Sequence, residues 1–163
     1  MSPEIVIDAS LFMGMHSTDD LTRVRCKGFF AQRIEGAVVM SLEHVGRCDD
    51  LVWSYPRDVQ DRYYPFMDVL HTDMDIRRIG YGEKELITAL EDPVLAGLPM
   101  HERLLLAMVL RRDAVLYTVS PRLRAREDLP VHHIDLPSTS DFPDGLEQLY
   151  QESLVLRVGE KDL

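Results

Sequence analysis

Three positions in this chain place an acid or a hydroxyl just past the carboxyl end of an expected buried strand, where parallel sheets carry their chemistry. Asp8 follows the β-branched run Ile5-Val6-Ile7, Glu43 stands just beyond the apolar run 37–40, and Ser120 follows the run 115–119. Carboxylates converging on such an edge suit a hard cation such as Mg²⁺ or Mn²⁺, which takes oxygen ligands and retains part of its water shell. An ion held there could activate water and stabilise charge on a phosphodiester under attack. Each residue also has a plainer role open to it. Asp8 could cap a turn, Glu43 could be a first-turn acid favoured by the helix dipole, and Ser120, before Pro121, could be a turn or cap residue.

Other chemistries find less support. His101-Glu102 opens like the zinc helix His-Glu-x-x-His, but Leu105 occupies the second histidine's place. His132 and His133 are adjacent on an expected strand and so point to opposite faces, which leaves at most one of them for a site. Cys26 and Cys48 belong to no Cys-x-x-Cys or zinc spacing and read as buried thiols. Gly80-Tyr81-Gly82 is too short for a phosphate-binding fingerprint, and the chain contains neither a P-loop nor a Gly-x-Ser-x-Gly elbow. Trp53, Tyr55, Tyr63, Tyr64 and Phe66 read first as core packing, with base stacking or pocket lining as the alternative.

The elements that must position these residues follow from hydrophobic period. Strands are expected at 4–9, 37–40, 76–81 (an edge), 115–119 and 131–134. Helices are expected from 17 or 18 to near 36, from 41 to near 55, over 58–74 with a kink or restart at Pro65, and over 83–90 and 100–112. Residues 137–145 read as a loop, and 146–158 as a terminal helix or strand. Near-obligatory right-handed crossovers turn this alternation into a three-layer α/β sandwich, a central, mainly parallel sheet flanked by helices. One domain is expected over 1–163, with a core of about 4–135 and a C-terminal extension of about 136–163.

Val6-Ile7-Asp8-Ala9-Ser10, Ser41-Leu42-Glu43-His44 and the stretch from His101-Glu102-Arg103 to Leu116-Tyr117-Thr118 together resemble the PIN domain, over roughly residues 4–135. The resemblance implies a PIN-like three-layer fold and RNA cleavage with Mg²⁺ or Mn²⁺. It implies Asp8, Glu43 and Glu102 as catalytic metal ligands, with Thr118 and Ser120 as weak contacts at the fourth position. The sequence departs from the pattern twice: Glu102 stands where the family usually has Asp, and Ser120 where it has Asp or Asn. The family's bacterial toxin members imply a protein antitoxin and dimerisation.

Composition bounds these expectations. A formal net charge of -10 opposes general attraction to a polyanion, so RNA would need a local basic patch. Candidates are Arg77-Arg78, Arg111-Arg112 and the trio Arg122, Arg124 and Arg126. No apolar run approaches the roughly 20 residues of a membrane span, and the opening residues carry no basic leader, so a cytoplasmic protein is expected. The expected function is a divalent-metal-dependent ribonuclease. The alternatives are an inactive PIN-like binding or regulatory protein, or a metal-dependent enzyme acting on a small molecule.

Overall fold

A computed structural model of the chain describes residues 2–134 and 140–163. Its short apolar runs pair into one parallel sheet of β1 (Ile5–Ile7), β2 (Ala37–Ser41), β3 (Asp75–Ile79), β4 (Val115–Tyr117) and β5 (Val131–His132), in the order β3-β2-β1-β4-β5. Ile7 pairs with Met40 on one side and Tyr117 on the other, so the ends of the three central strands lie level. Side chains alternate between two cores: Ile7, Val38 and Met40 enter one, and Val6, Val39 and Leu116 the other. A sheet covered on both faces needs near-continuous apolar strands, which β1, β2 and β4 supply, while the edge strand β3 is Asp-Ile-Arg-Arg-Ile.

The first core is closed by α1 (Ala9–Gly14), α2 (Asp20–Ala31), α3 (Leu42–Trp53), α4 (Arg57–Asp73) and α8 (Asp144–Ser153). The second lies under α5 (Glu83–Glu91), α6 (Met100–Arg111) and α7 (Pro121–Arg124). Three layers result, as the strand and helix alternation predicts. Among the described residues, no helix is long and apolar enough to cross a membrane.

Local structure departs from the sequence expectation in several places. Strand β1 stops at Ile7 and the chain turns at once into α1, because Asp8 accepts the Leu11 backbone N–H and caps a new helix. Gly14 is required there, since a Cβ would sit 2.5 Å from the Cys26 Sγ of α2. Helix α2 starts at Asp20 with Asp19 as its cap, while Ser17 is buried and its backbone pairs with Val158. Pro65 does not restart the helix, and α4 is continuous from Arg57 to Asp73 through it. Losing one helical hydrogen bond costs about 3 kcal/mol. Fully burying Tyr63, Phe66 and Leu70 on either side of it, at roughly 1.5–3 kcal/mol each, outweighs that. The 146–158 stretch is helical to Ser153, turns at 154–155 and ends in an isolated bridge from Val158 to Ser17. Of the expected 137–145 loop, residues 137–139 lie outside the described residues.

His16, wholly buried, joins α1 to α8. It is ringed by Tyr63, Phe66 and Tyr150, and its Nε2 lies 2.8 Å from Ser153 Oγ. Ser153 donates its own proton to the Tyr150 carbonyl, so Nε2 carries the hydrogen and Nδ1 is left without a partner. Burial, reinforced by Arg157 and Arg23, lowers this imidazole to about 3. The unfolded chain takes up that proton near pH 6.5 and the folded chain only near 3. The stability carried by neutral His16 is therefore complete above 6.5 and declines as pH falls through that window, by roughly 1 kcal/mol per pH unit. In urea unfolding between pH 7.5 and 5, the wild type should lose stability more steeply than His16→Asn. Equal slopes would remove His16 as the cause.

Candidate active site

Where the strand order reverses, between β1 and β4, the carboxyl edge of the sheet opens into a cavity of about 250 Å³. Asp8 and Ser10 line it from the β1–α1 turn, His44 and Arg47 from α3, His101 and Glu102 from α6, and Ser120 and Arg122 from the start of α7. Asp50, Asp162 and Leu163 complete much of the wall.

Asp8 is 3% exposed and heavily bonded. Its Oδ1 accepts the Leu11 N–H (2.9 Å) and the Ser10 hydroxyl (2.8 Å), and its Oδ2 accepts the Thr118 hydroxyl (2.5 Å). The same two hydroxyls accept backbone N–H groups from the chain leaving β4: Ser120 N–H to Thr118 Oγ1 (3.0 Å) and Val119 N–H to Ser10 Oγ (3.3 Å). Burial drives the Asp8 carboxyl above the usual carboxylate range, the hydrogen bonds pull it down, and the negative charge of Glu102 pushes it up further.

Glu102 is also 3% exposed, one helical turn before the buried Leu105 and Leu106, whose packing under the sheet carries it into the cavity. Its Oε1 meets Arg122 Nε and Nη2, each at 2.5 Å, while the arginine side chain stays 56% exposed. The acid is therefore desolvated and its partner is not. Removing the cation would leave a buried charge uncompensated.

His44, 4% exposed, accepts the Ala9 backbone N–H on Nδ1 (3.0 Å), while Nε2 is buried with no hydrogen-bond partner among the described residues. Burial lowers the ring to about 4, with Glu43 opposing and Arg47 reinforcing. At neutral pH the proton must sit on Nε2. His44 is thus a fixed hydrogen-bond donor at the cavity wall, and neither nitrogen has a lone pair to offer a metal. The ring of His101 lies 6.3 Å from it, and burial lowers that imidazole too.

Of the three acids named from sequence, Asp8 and Glu102 meet in this cavity, whereas Glu43 is not among the residues that line it. Glu43 Oε1 instead accepts the Tyr81 hydroxyl (3.1 Å), beside Ser41. Thr118 holds Asp8 from β4, and Ser120 lines the cavity. Among the described residues, no group of three or more His, Cys, Asp or Glu side chains is gathered closely enough to hold a metal.

The sequence reading missed His44 and Arg47. The signal was present in the helical phase: with Ser41 capping α3 through the His44 N–H (3.1 Å), residues 44, 47 and 51 share a stripe that excludes 43. Of the basic clusters, Arg122 reaches this cavity, while Arg112 pairs with Glu4, Arg77 with Asp75 and Arg126 with Asp128. Cys26 and Cys48 are buried thiols, as expected. Tyr63 and Phe66 are core, but Trp53 is 66% exposed.

The family model for DUF6190, described as a family of unknown function, matches residues 1–163, and the chain belongs to that family. No curated protein matches it.

Because the Thr118 hydroxyl serves a buried carboxylate, Thr118→Val should cost about 1–3 kcal/mol in urea unfolding. Thr72→Val, which removes a hydroxyl bonded to an exposed carbonyl, should stay within about 0.5 kcal/mol. Equal losses would show that the Asp8 network carries no special weight.

Proposed function

We propose that this DUF6190 member is a divalent-metal-dependent phosphodiesterase acting on RNA, built on a PIN-like scaffold. The observation that carries the reading is the convergence of Asp8 and Glu102. Both are almost wholly buried, come from elements over ninety residues apart, and line one polar cavity at the switch point of a parallel sheet. Two desolvated carboxylates raise each other's energy, and the fold draws no packing benefit from placing them together.

The donor set fits a hard cation of limited demand. Mg²⁺ commonly takes one or two protein carboxylates and completes its shell with water and substrate phosphate. An ionised carboxylate offers about four acceptor sites; the three internal donors on Asp8 leave one open, and they fix the plane in which it points. When bound, the ion would supply Lewis acidity to a phosphoryl oxygen and acidify a water.

The chain's own residues supply the remaining functions. Ser10 and Thr118 donate to the Asp8 carboxylate and orient it. Arg122, exposed on its long stem, exchanges its contact with Glu102 for a phosphate oxygen, which frees the acid as substrate arrives. His44 presents a neutral Nε2–H donor to an oxygen of the scissile group.

A second reading has its own observation. Arg122 already balances Glu102, and Glu43 is engaged elsewhere, so the acids are satisfied without a metal. That arrangement favours an inactive PIN-like binding or regulatory module.

Calorimetric titration of Mn²⁺, with a single-stranded RNA cleavage assay on the same samples, separates the two. Under the nuclease reading the wild type binds and cleaves, Asp8→Asn and Glu102→Gln lose at least a hundredfold in cleavage and most of the Mn²⁺ heat, and Glu43→Gln stays within about threefold. A wild type that takes up no Mn²⁺ at millimolar concentration sinks the nuclease reading and leaves the binding module.

A further inference from the structure

Next to the acid cavity, and sharing Ser120 and Leu163 with it, lies a second cavity of about 170 Å³. Thr22 and Arg25 of α2 form one side, Arg124 of α7 another, and His133, just past β5, lines it too. The Nε of Arg25 is buried with no hydrogen-bond partner among the described residues. An unmatched buried donor costs about 1–3 kcal/mol, and more on a charged group, so Arg25 needs an acceptor that the described residues do not supply. Nearby acids do not fill that need. Asp19 accepts the Thr22 N–H (2.8 Å), and Glu160, which also lines the cavity, forms no ion pair with Arg25.

We propose that this second cavity is a phosphate subsite for the strand of RNA whose scissile phosphodiester occupies the acid cavity. The assignment rests on the function proposed above. A diester phosphate is small, singly charged and rich in acceptor oxygens. The Arg25 and Arg124 guanidinium groups provide charge-assisted donors, and the Thr22 and Ser120 hydroxyls can complete the set. Ser120, common to both cavities, makes them neighbouring stations along one path. The site also answers the charge problem of a chain at -10: Arg25, Arg124 and Arg122 form a local cationic track on an otherwise acidic surface.

The test is fluorescence anisotropy of a labelled single-stranded RNA hexamer with the full chain in EDTA, across a salt series. Variants are Arg25→Gln, Arg124→Gln, the charge-keeping Arg25→Lys, and Arg111→Gln as an exposed arginine outside both cavities. Arg25→Gln and Arg124→Gln should each weaken binding about five- to tenfold and lower the slope of log affinity against log salt by about 0.7, the value for one lost phosphate contact on a single strand. Arg25→Lys should recover part of the affinity, and Arg111→Gln should match wild type. If both glutamine variants behave like Arg111→Gln, the subsite is refuted. The hexamer should bind at least tenfold tighter than uridine monophosphate; equal affinities would overturn the strand assignment in favour of a free nucleotide. Mn²⁺ titration of the same variants keeps the two proposals apart. Arginine-dependent RNA binding by a wild type that takes up no Mn²⁺ refutes the nuclease and leaves the phosphate subsite standing. Intact Mn²⁺ binding and cleavage with an unchanged salt slope does the reverse.

Discussion

The architecture turns on one carboxylate. Asp8 ends β1, caps α1 through the Leu11 N–H, and takes the Thr118 hydroxyl from the end of β4. Through Ser10 and Thr118 it also fixes the backbone of residues 119 and 120. Two chain segments more than a hundred residues apart, 8–11 and 118–120, are thereby tied at the level where the sheet order reverses. An uncharged residue of the same shape could cap the helix equally well. Ionised, the group also gives the cavity an anchored negative charge, at a desolvation cost the fold meets with three donors.

Around that anchor the cavity mixes charge signs. Asp8 and Glu102 sit deep, whereas Arg47 and Arg122 are exposed, as are the further lining acids Asp50 and Asp162: Glu102 is buried and the side chain that pairs with it is mostly exposed. Such an arrangement is asymmetric in response, because the arginine can move at small entropic cost whereas the carboxylates cannot. His44 adds a dipole whose direction is set by the Ala9 N–H rather than by pH. The cavity is therefore preorganised in its acids and its one imidazole donor, and adaptable in its cations.

How much of this was legible in the sequence follows from what periodicity encodes. The sheet, the two-sided core and the order of elements could be read because strands such as Ile5-Val6-Ile7 must be apolar on both faces. Helix α1 escaped notice because six residues rich in apolar side chains show no period of their own; its mark was the spacing of Asp8 to Leu11, a cap rather than a pattern. The helix continues past Pro65, where a restart was one expectation, because burial of the flanking aromatics outweighs the local propensity. At the site, Asp8 and Glu102 could be placed by their distance from strand ends. His44 and Glu43 differ by a single position in α3, or about 100° of helical rotation, and which of them reaches the cavity depends on a cap hydrogen bond that only coordinates fix. The second cavity was marked only in part: Arg124 belongs to the basic cluster 122–126, but Arg25 joins it from α2, a segment that only the sheet brings alongside.

The central position of β1 also bears on the order of assembly. Its partners are β2, about thirty residues on, and β4, more than a hundred residues on; the Asp8 to Thr118 hydrogen bond spans 110 residues. Closing so long a loop is entropically unfavourable until the strands on both sides can reward it, so contacts of this kind form slowly and late. During synthesis the β1–β2–β3 half with its helices can condense while the other flank of β1 is still bare. Neither cavity exists in that half-built chain, because each takes its wall from residues beyond 118. Whatever chemistry the cavities perform is therefore withheld from the nascent polypeptide and appears only with the last strands of the sheet.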